Sequence, residues 1–260
     1  GDFTDLAGLA ATVRRMAPEA IVNAAAYTAV DKAESEPELA QAINARAPAV
    51  LAEEAGRLGA WLVHYSTDYV FDGSGDTPRM ETAPTGPLSV YGRTKLAGEQ
   101  AVAGCARHLI LRTSWVYAAR GANFARTMLR LAAERDHLRV VGDQVGAPTG
   151  ADLLADVTAH ALRAAAGRPE LAGLYHLAAG GETSWHAYAC FVLERAREAG
   201  RPIRVRPDRI EAIPTSAYPT PARRPLNSRL DTARLRSAFG LHLPDWRAGV
   251  RRLLDELPAG

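Results

Sequence analysis

With 260 residues, 47% of them hydrophobic and 23% charged, the chain can build one large domain or two closely packed ones, and nothing in it signals disorder. A formal net charge of +2 advertises no nucleic-acid partner, no apolar run approaches a membrane span, and the opening GDFTDLAGL is no signal peptide, so a cytoplasmic protein is expected. Two cysteines, Cys105 and Cys190, are too few for a disulfide framework or a zinc cluster and read as reduced thiols.

Along the chain, apolar runs of β type alternate with helical stretches. AIVNAAAYT (20–28) reads as a strand running into a loop, and the helical spacing of residues 38–60 ends at Gly59. WLVHYSTDYVF (61–71) is a second strand, closed by the turn cluster DGSGDTP. Residues 91–104 are helical, HLILRTSWVY (108–117) is a third strand, and residues 123–136 form a helix before the short strand LRVV (138–141). A further amphipathic helix (152–167) and the strand GLYHLAA (173–179) continue the rhythm. Beyond about residue 180 it loosens into a helix (184–200), a strand over IRVRPDRIEAI (203–213), a Pro-rich loop and a last helix after Pro244. Strict alternation with near-continuous apolar strands predicts an α/β fold with a doubly wound parallel sheet covered on both faces. The expected division is a sheet domain over 1–179, with part of 142–150 joining the cap, and a smaller cap over 180–260. The cleft between them is the expected site.

Only two of the 31 basic residues are lysines, Lys32 and Lys95. Lys95 follows Tyr91 by four positions, which on a helix puts both side chains on one face. Tyrosine is a poor acid or base near neutrality, and an ammonium one turn away is expected to stabilise the phenolate and lower its pKa. A compact ammonium can also bond hydroxyl groups that a wide guanidinium cannot. With 8 tyrosines and two lysines in 260 positions, chance supplies roughly 0.06 such pairs.

Ser66, Thr67 and Asp68 end the second strand, at the sheet edge where doubly wound folds bind ligands. A hydroxyl there can bond a substrate oxygen and a carboxylate a sugar hydroxyl; the plain alternative is a turn that uses these residues to bond its own backbone. Ala24, Ala25 and Ala26 after the first strand let backbone approach a flat ligand closely, the alternative being tight helix packing. Trp115 stands at another strand edge, as site residue or core ring.

NAAAYTAVDKAE, STDYVFDG, YGRTKLAGE, LRTSWVY, NFARTMLRLA, GDQVGAPTG and RRPLNSRLD, in this order, make the chain resemble the extended short-chain dehydrogenase/reductase family, most closely its branch acting on dTDP-4-dehydro-L-rhamnose. The resemblance covers essentially the whole chain and implies a Rossmann-type cofactor domain with a substrate-binding cap. It implies reduction of the C4 keto group of that nucleotide sugar to dTDP-L-rhamnose by NADPH, with NADH as the alternative. Tyr91 would donate the proton, Lys95 would partner it and hold the nicotinamide ribose, and Thr67 would bond the substrate carbonyl oxygen and the Tyr91 hydroxyl. Asp68 and Trp115 would contact the sugar. Asp2 and Phe3 would line the adenine side and Ala24, Ala25 and Ala26 the cofactor loop. Asn123, Arg223, Arg224 and Asn227 are weaker candidates for the nucleotide diphosphate, with a solvated surface as the alternative for the arginines. Dehydratases of this family place Asp-Glu after the strand threonine; here Thr67 precedes Asp68 and Tyr69, which favours plain reduction. Mg2+ follows from the resemblance alone, since no ligand cluster stands out. The residues are silent on oligomeric state, and a homodimer is the expectation carried forward.

One departure stands against this pattern. The family's Gly-x-x-Gly-x-x-Gly turn is not in this sequence, and GDFTD matches the family's third-strand region. The expectation is therefore that Ala20–Ala26, the fourth strand in family order, has an unpaired edge and that cofactor binding is weakened. The competing reading is a non-catalytic relative, similar to the regulatory subunit of methionine adenosyltransferase. Thr67, Tyr91 and Lys95 favour the enzyme.

Overall fold

The computed structural model describes residues 2–257. In chain order, α1 spans Leu6–Met16 and β1 Ala20–Asn23, followed by the short helices α2 (Val30–Ala33) and α3 (Pro37–Gln41). A π-helical turn, Ala42–Arg46, leads into α4 (Ala47–Leu58), then β2 (Trp61–Thr67), α5 (Val90–Val102) and β3 (His108–Thr113). After the two-residue β4 (Val116–Tyr117) come α6 (Phe124–Glu134), β5 (Leu138–Val141), the short β6 (Val145–Gly146) and β7 (Thr149–Gly150), and α7 (Ala151–Gly167). The chain ends with β8 (Gly173–His176), β9 (Thr183–Ser184), α8 (Trp185–Glu198), β10 (Ile210–Ile213), α9 (Ala233–Phe239) and α10 (Trp246–Glu256). No helix among the described residues is long and apolar enough to cross a membrane.

β1, β2, β3 and β8 form a parallel sheet in that order. Its strands are apolar on both faces because both are covered. Trp61, Val63, Leu109, Leu111 and Tyr175 pack against Leu154 and Val157 of α7 and Leu235 and Phe239 of α9. Leu62 and Ile110 face the other way, onto Leu9 of α1, Leu51 of α4 and Val102 of α5. Burying each such aliphatic side chain contributes about 1.5–3 kcal/mol. The doubly wound reading of the sequence is thus the fold observed. β1 pairs with β2 alone among the described residues, and Val22 is exposed on it.

Three local expectations are corrected. Asp2–Asp5 is a turn rather than strand, in which the Asp5 carboxylate accepts the Gly8 N–H at 2.9 Å and caps α1. β3 stops at Thr113, because Trp115 takes a left-handed φ of 49° that no strand tolerates, and Val116–Tyr117 pairs with β7 instead. The strand expected over 203–213 forms only at Ile210–Ile213, since Pro207 opens a 3-10 turn and has no N–H to give a ladder.

A second core joins Met128 and Ala132 of α6, Leu138 and Val140 of β5, Ala189 and Leu193 of α8 and Ile210 of β10. β5 and β10 pair in parallel. Elements on both sides of residue 180 therefore share one apolar cluster.

α5 comes unusually close to its neighbours. A Cβ on Gly92 would sit 2.3 Å from the Tyr69 carbonyl oxygen, and one on Gly98 would sit 2.1 Å from that of Asn44. Only glycine permits these approaches, and they set the position of the helix that carries Tyr91 and Lys95.

Candidate active site

Ser89 starts α5 by accepting the Gly92 N–H at 3.1 Å, and Glu34 accepts the free Val90 N–H at 2.8 Å. Tyr91 thus lies in the first turn and Lys95 one turn on. Lys95 is only 2% exposed. Its Nζ donates to the Tyr65 carbonyl at 2.6 Å and lies 3.5 Å from His64 Nε2. Burial brings the ammonium down to about 8, while the Glu99 carboxylate pulls the other way.

Tyr91 stands edge-on to Tyr69, ring centroids 5.4 Å apart. Burial pushes its phenol up to about 12; the neighbouring Thr67 hydroxyl opposes this and the Asp68 charge adds to it. This reverses the expectation that Lys95 lowers it. The ammonium is turned to the Tyr65 carbonyl rather than to the phenol, so desolvation wins.

Thr67 and Asp68 are both buried at the carboxyl end of β2. The Thr67 hydroxyl donates to Asp68 Oδ1 at 3.1 Å and accepts the Tyr69 N–H at 3.2 Å, so these residues serve the local turn as well as the site. Burial raises the Asp68 carboxyl to about 6 against the pull of the Ser228 and Thr67 hydroxyls. Thr67 pairs in register with Thr113, which places Trp115 just beyond the neighbouring strand end. The left-handed Trp115 backbone is the kind of strain that clusters at functional sites. Its indole stacks on Trp185 at 3.7 Å, 15° from parallel.

The remaining candidates scatter. Asp2 is exposed and bonds Thr4, at 2.8 Å to its N–H and 2.7 Å to its hydroxyl, while Phe3 packs on the α1 and α4 core. Ala24 and Ala25 are exposed and Ala26 half-buried in the loop after β1, with the Ala25 N–H on Asn23 Oδ1 at 3.2 Å. Asn123 is the N-cap of α6, accepting the Arg126 N–H at 3.0 Å. Asn227 is buried and ties its loop to the Ser74 and Thr77 carbonyls. Arg224 is bidentate to Asp31, at 3.0 and 2.7 Å, and Arg223 is exposed. The arrangement nevertheless fits a flat dinucleotide at the sheet edge. The side chains of the 24–26 loop are alanine methyls alone, and the Ser66 hydroxyl, buried near the end of β2, has no partner among the described residues. No group of three or more His, Cys, Asp or Glu among the described residues could hold a metal ion, so the Mg2+ expectation finds no support.

Several site groups escaped the sequence reading. His64 bonds Asn23 across the β1–β2 register at 3.0 Å. Asn44, in the π-helical turn, bonds the Tyr27 N–H at 2.8 Å, the Tyr27 carbonyl at 3.1 Å and Thr94 at 3.1 Å. Trp185 is oriented by its N–H on Gln144 at 3.1 Å. A π turn is a functional flag, but nothing local in AINAR announces it. A cavity of about 610 Å³ lies between α6, β5 and β10, with Trp185, Arg135, Arg139 and Arg224 in its walls.

The sequence matches the family model described as the RmlD substrate binding domain over residues 1–258. It is similar to the dTDP-4-dehydrorhamnose reductase of Shigella flexneri, 61% identical over 258 residues that make up 99% of this chain and 86% of that protein. Similarity to the reductase of Escherichia coli strain K12 is 60% over the same shares. Among solved structures, dTDP-4-dehydrorhamnose reductase from Bacillus anthracis in complex with NADP superposes with a TM-score of 0.89 at 34% identity, covering 98% of this chain and 86% of that one.

Proposed function

This chain belongs to the dTDP-4-dehydrorhamnose reductase family, an oxidoreductase family with the Rossmann-type fold, and from that premise we propose that it reduces the C4 keto group of dTDP-4-dehydro-L-rhamnose with Tyr91 as proton donor. The observation that carries this reading is the gathering of Thr67, Asp68 and Tyr91 at one strand end, with Lys95 buried on the same helix. Ala24–Ala26 and Lys95, with Asp2 and Phe3 toward the adenine end, would hold NADPH, which would supply the hydride.

Tyr91 carries its proton near neutrality, as the acid role requires, although burial makes the phenol a weaker acid than a free tyrosine. Its O–H delivers the proton to the oxygen left by carbonyl reduction. Thr67 bonds that oxygen and steadies the phenol. Asp68 accepts from a sugar hydroxyl, and Trp115 offers a ring face to the sugar. The nucleotide end lies toward the cavity behind Trp185, where Arg135 supplies positive charge for the diphosphate, and Arg139 and Arg224 would turn to it from Glu211 and Asp31. The cofactor lobe is the parallel sheet with its helices. The substrate lobe takes in 180–260 apart from α9, which packs on the sheet, together with α6 and β5, which share its core. The reading extends to a cytoplasmic enzyme working as a homodimer.

The test is the absorbance of reduced nicotinamide after mixing the chain with NADPH and dTDP-4-dehydro-L-rhamnose. Oxidation by the parent and a loss of about 10²–10⁴-fold in Tyr91→Phe, with dTDP binding retained, support the reading. Unchanged absorbance with the parent would favour a non-catalytic relative, and turnover within threefold of the parent in Tyr91→Phe would remove the tyrosine from its role.

A further inference from the structure

Tyr91, Lys95 and Glu99 follow one another at four-residue intervals along α5, so they form one stripe on one face. The reaction above uses the first two. Glu99 is 4% exposed, and both its oxygens are held by Arg112 of β3, Nε to Oε1 at 2.9 Å and Nη2 to Oε2 at 2.6 Å. Arg112 is 3% exposed, with its guanidinium 5.0 Å above the Phe71 ring. As a purely structural device such a pair is poor, since replacing a buried ion pair with well-packed apolar groups is often neutral or stabilising. Its neighbour on the helix gives it a purpose.

Lys95 has little else to hold its charge. Among the described residues the Tyr65 carbonyl is its one short hydrogen bond. His64 Nε2, at 3.5 Å, brings no negative charge. The Ala25 N–H fixes Asn23 Oδ1, which turns the Asn23 Nδ2 donor onto His64 Nδ1. The imidazole accepts there, so its proton sits on Nε2, facing the lysine. Burial and the Lys95 charge keep it neutral. The phenols of Tyr91 and Tyr69 are raised and neutral as well. Other acids on elements packed against α5 are engaged elsewhere. Asp68 faces Thr67 and Tyr91, and Glu34 takes the Val90 N–H. Asp31 pairs with Arg224, Glu38 with Arg46 and Glu54 with Arg14. Among the described residues Glu99 is the buried carboxylate one turn from Lys95 on the same helix face, its negative charge favours the ammonium, and Arg112 decides where that carboxylate points.

We propose that Glu99, clamped by Arg112, is a positioning residue that keeps Lys95 an ammonium in its buried place and so maintains the lysine for catalysis. The proposal rests on the reductase reading for its catalytic meaning, but its electrostatic core concerns Lys95 alone.

The composition supplies the probe. Lys32 and Lys95 are the only lysines in the sequence. Lysine labelled with 13C at the ε carbon therefore gives two NMR signals, assigned with Lys32→Arg, a surface residue paired with Glu36. Titrating the full chain follows Lys95 directly. Glu99→Gln should lower its midpoint by about one pH unit or more. Arg112→Met removes the opposing cation, leaves the carboxylate, and should raise it. The double variant, which removes both charges, should fall below the parent but less than Glu99→Gln; if the single variant does not fold, the double decides. The basic limb of kcat/KM against pH should move in the same directions. A merely structural pair would change stability without opposite shifts of one lysine. A Lys95 midpoint unchanged in folded Glu99→Gln, or in the double variant, overturns the proposal. Absence of reductase activity in the parent would overturn the function reading instead, and the NMR titration would still decide this one.

Discussion

Asp68 is held at a cost that can be measured. Its carboxyl is 2% exposed and raised from 3.8 to about 6, chiefly by desolvation. Two units at about 1.4 kcal/mol each put the cost of its ionised form at about 3 kcal/mol. The sign follows from proton counting. Between about pH 4 and pH 6 the native state binds more protons than the unfolded chain, so stability falls as pH rises through that window. Above it the whole cost is present; below it there is none. Asp68→Asn keeps the shape, removes the charge, and leaves an amide that the Thr67 and Ser228 hydroxyls can meet. The variant should match the parent near pH 4 and exceed it by about 3 kcal/mol near pH 8, read from urea unfolding followed by tryptophan fluorescence. Turnover should fall at the same time, since the sugar loses its carboxylate partner; a residue that weakens the fold and serves the site is the common pattern. Equal stability near pH 8 would refute the reasoning, and so would a gain that persists undiminished near pH 4.

Lys95→Arg keeps the charge but must place a wide guanidinium where a 2%-exposed amine reaches the Tyr65 carbonyl at 2.6 Å; cofactor affinity and kcat should both fall by about tenfold or more, measured by calorimetry and nicotinamide absorbance. Parent-like behaviour would show that the lysine's compact shape is irrelevant. Gly98→Ala drives a Cβ to 2.1 Å from the Asn44 carbonyl oxygen, a backbone atom that cannot swing away. It should cost about 1–3 kcal/mol in urea unfolding and lower kcat by displacing α5, whereas Gly56→Ala, with open space around it, should do neither.

The sequence alone determined what depends on local period and spacing. Alternating apolar runs and helical stretches fixed the parallel sheet, because covered strands must be apolar on both faces. Four-residue spacing fixed Tyr91 and Lys95 on one helix face, because helical geometry needs no partner to be read. Gly59 marked the end of α4 and takes the left-handed φ of 65° expected there. Tertiary structure decided the rest. The direction of the Tyr91 shift depended on where Lys95 turned, and that depended on the Tyr65 carbonyl across β2. Glu99 became informative only when strand register brought Arg112 beneath α5. α1 and the seven-residue α9 were not read from the sequence, because their short, mixed patterns acquire an apolar face only against the sheet. Buried charge and close backbone approach are properties of what lies opposite a residue, and a linear sequence carries that only through the fold.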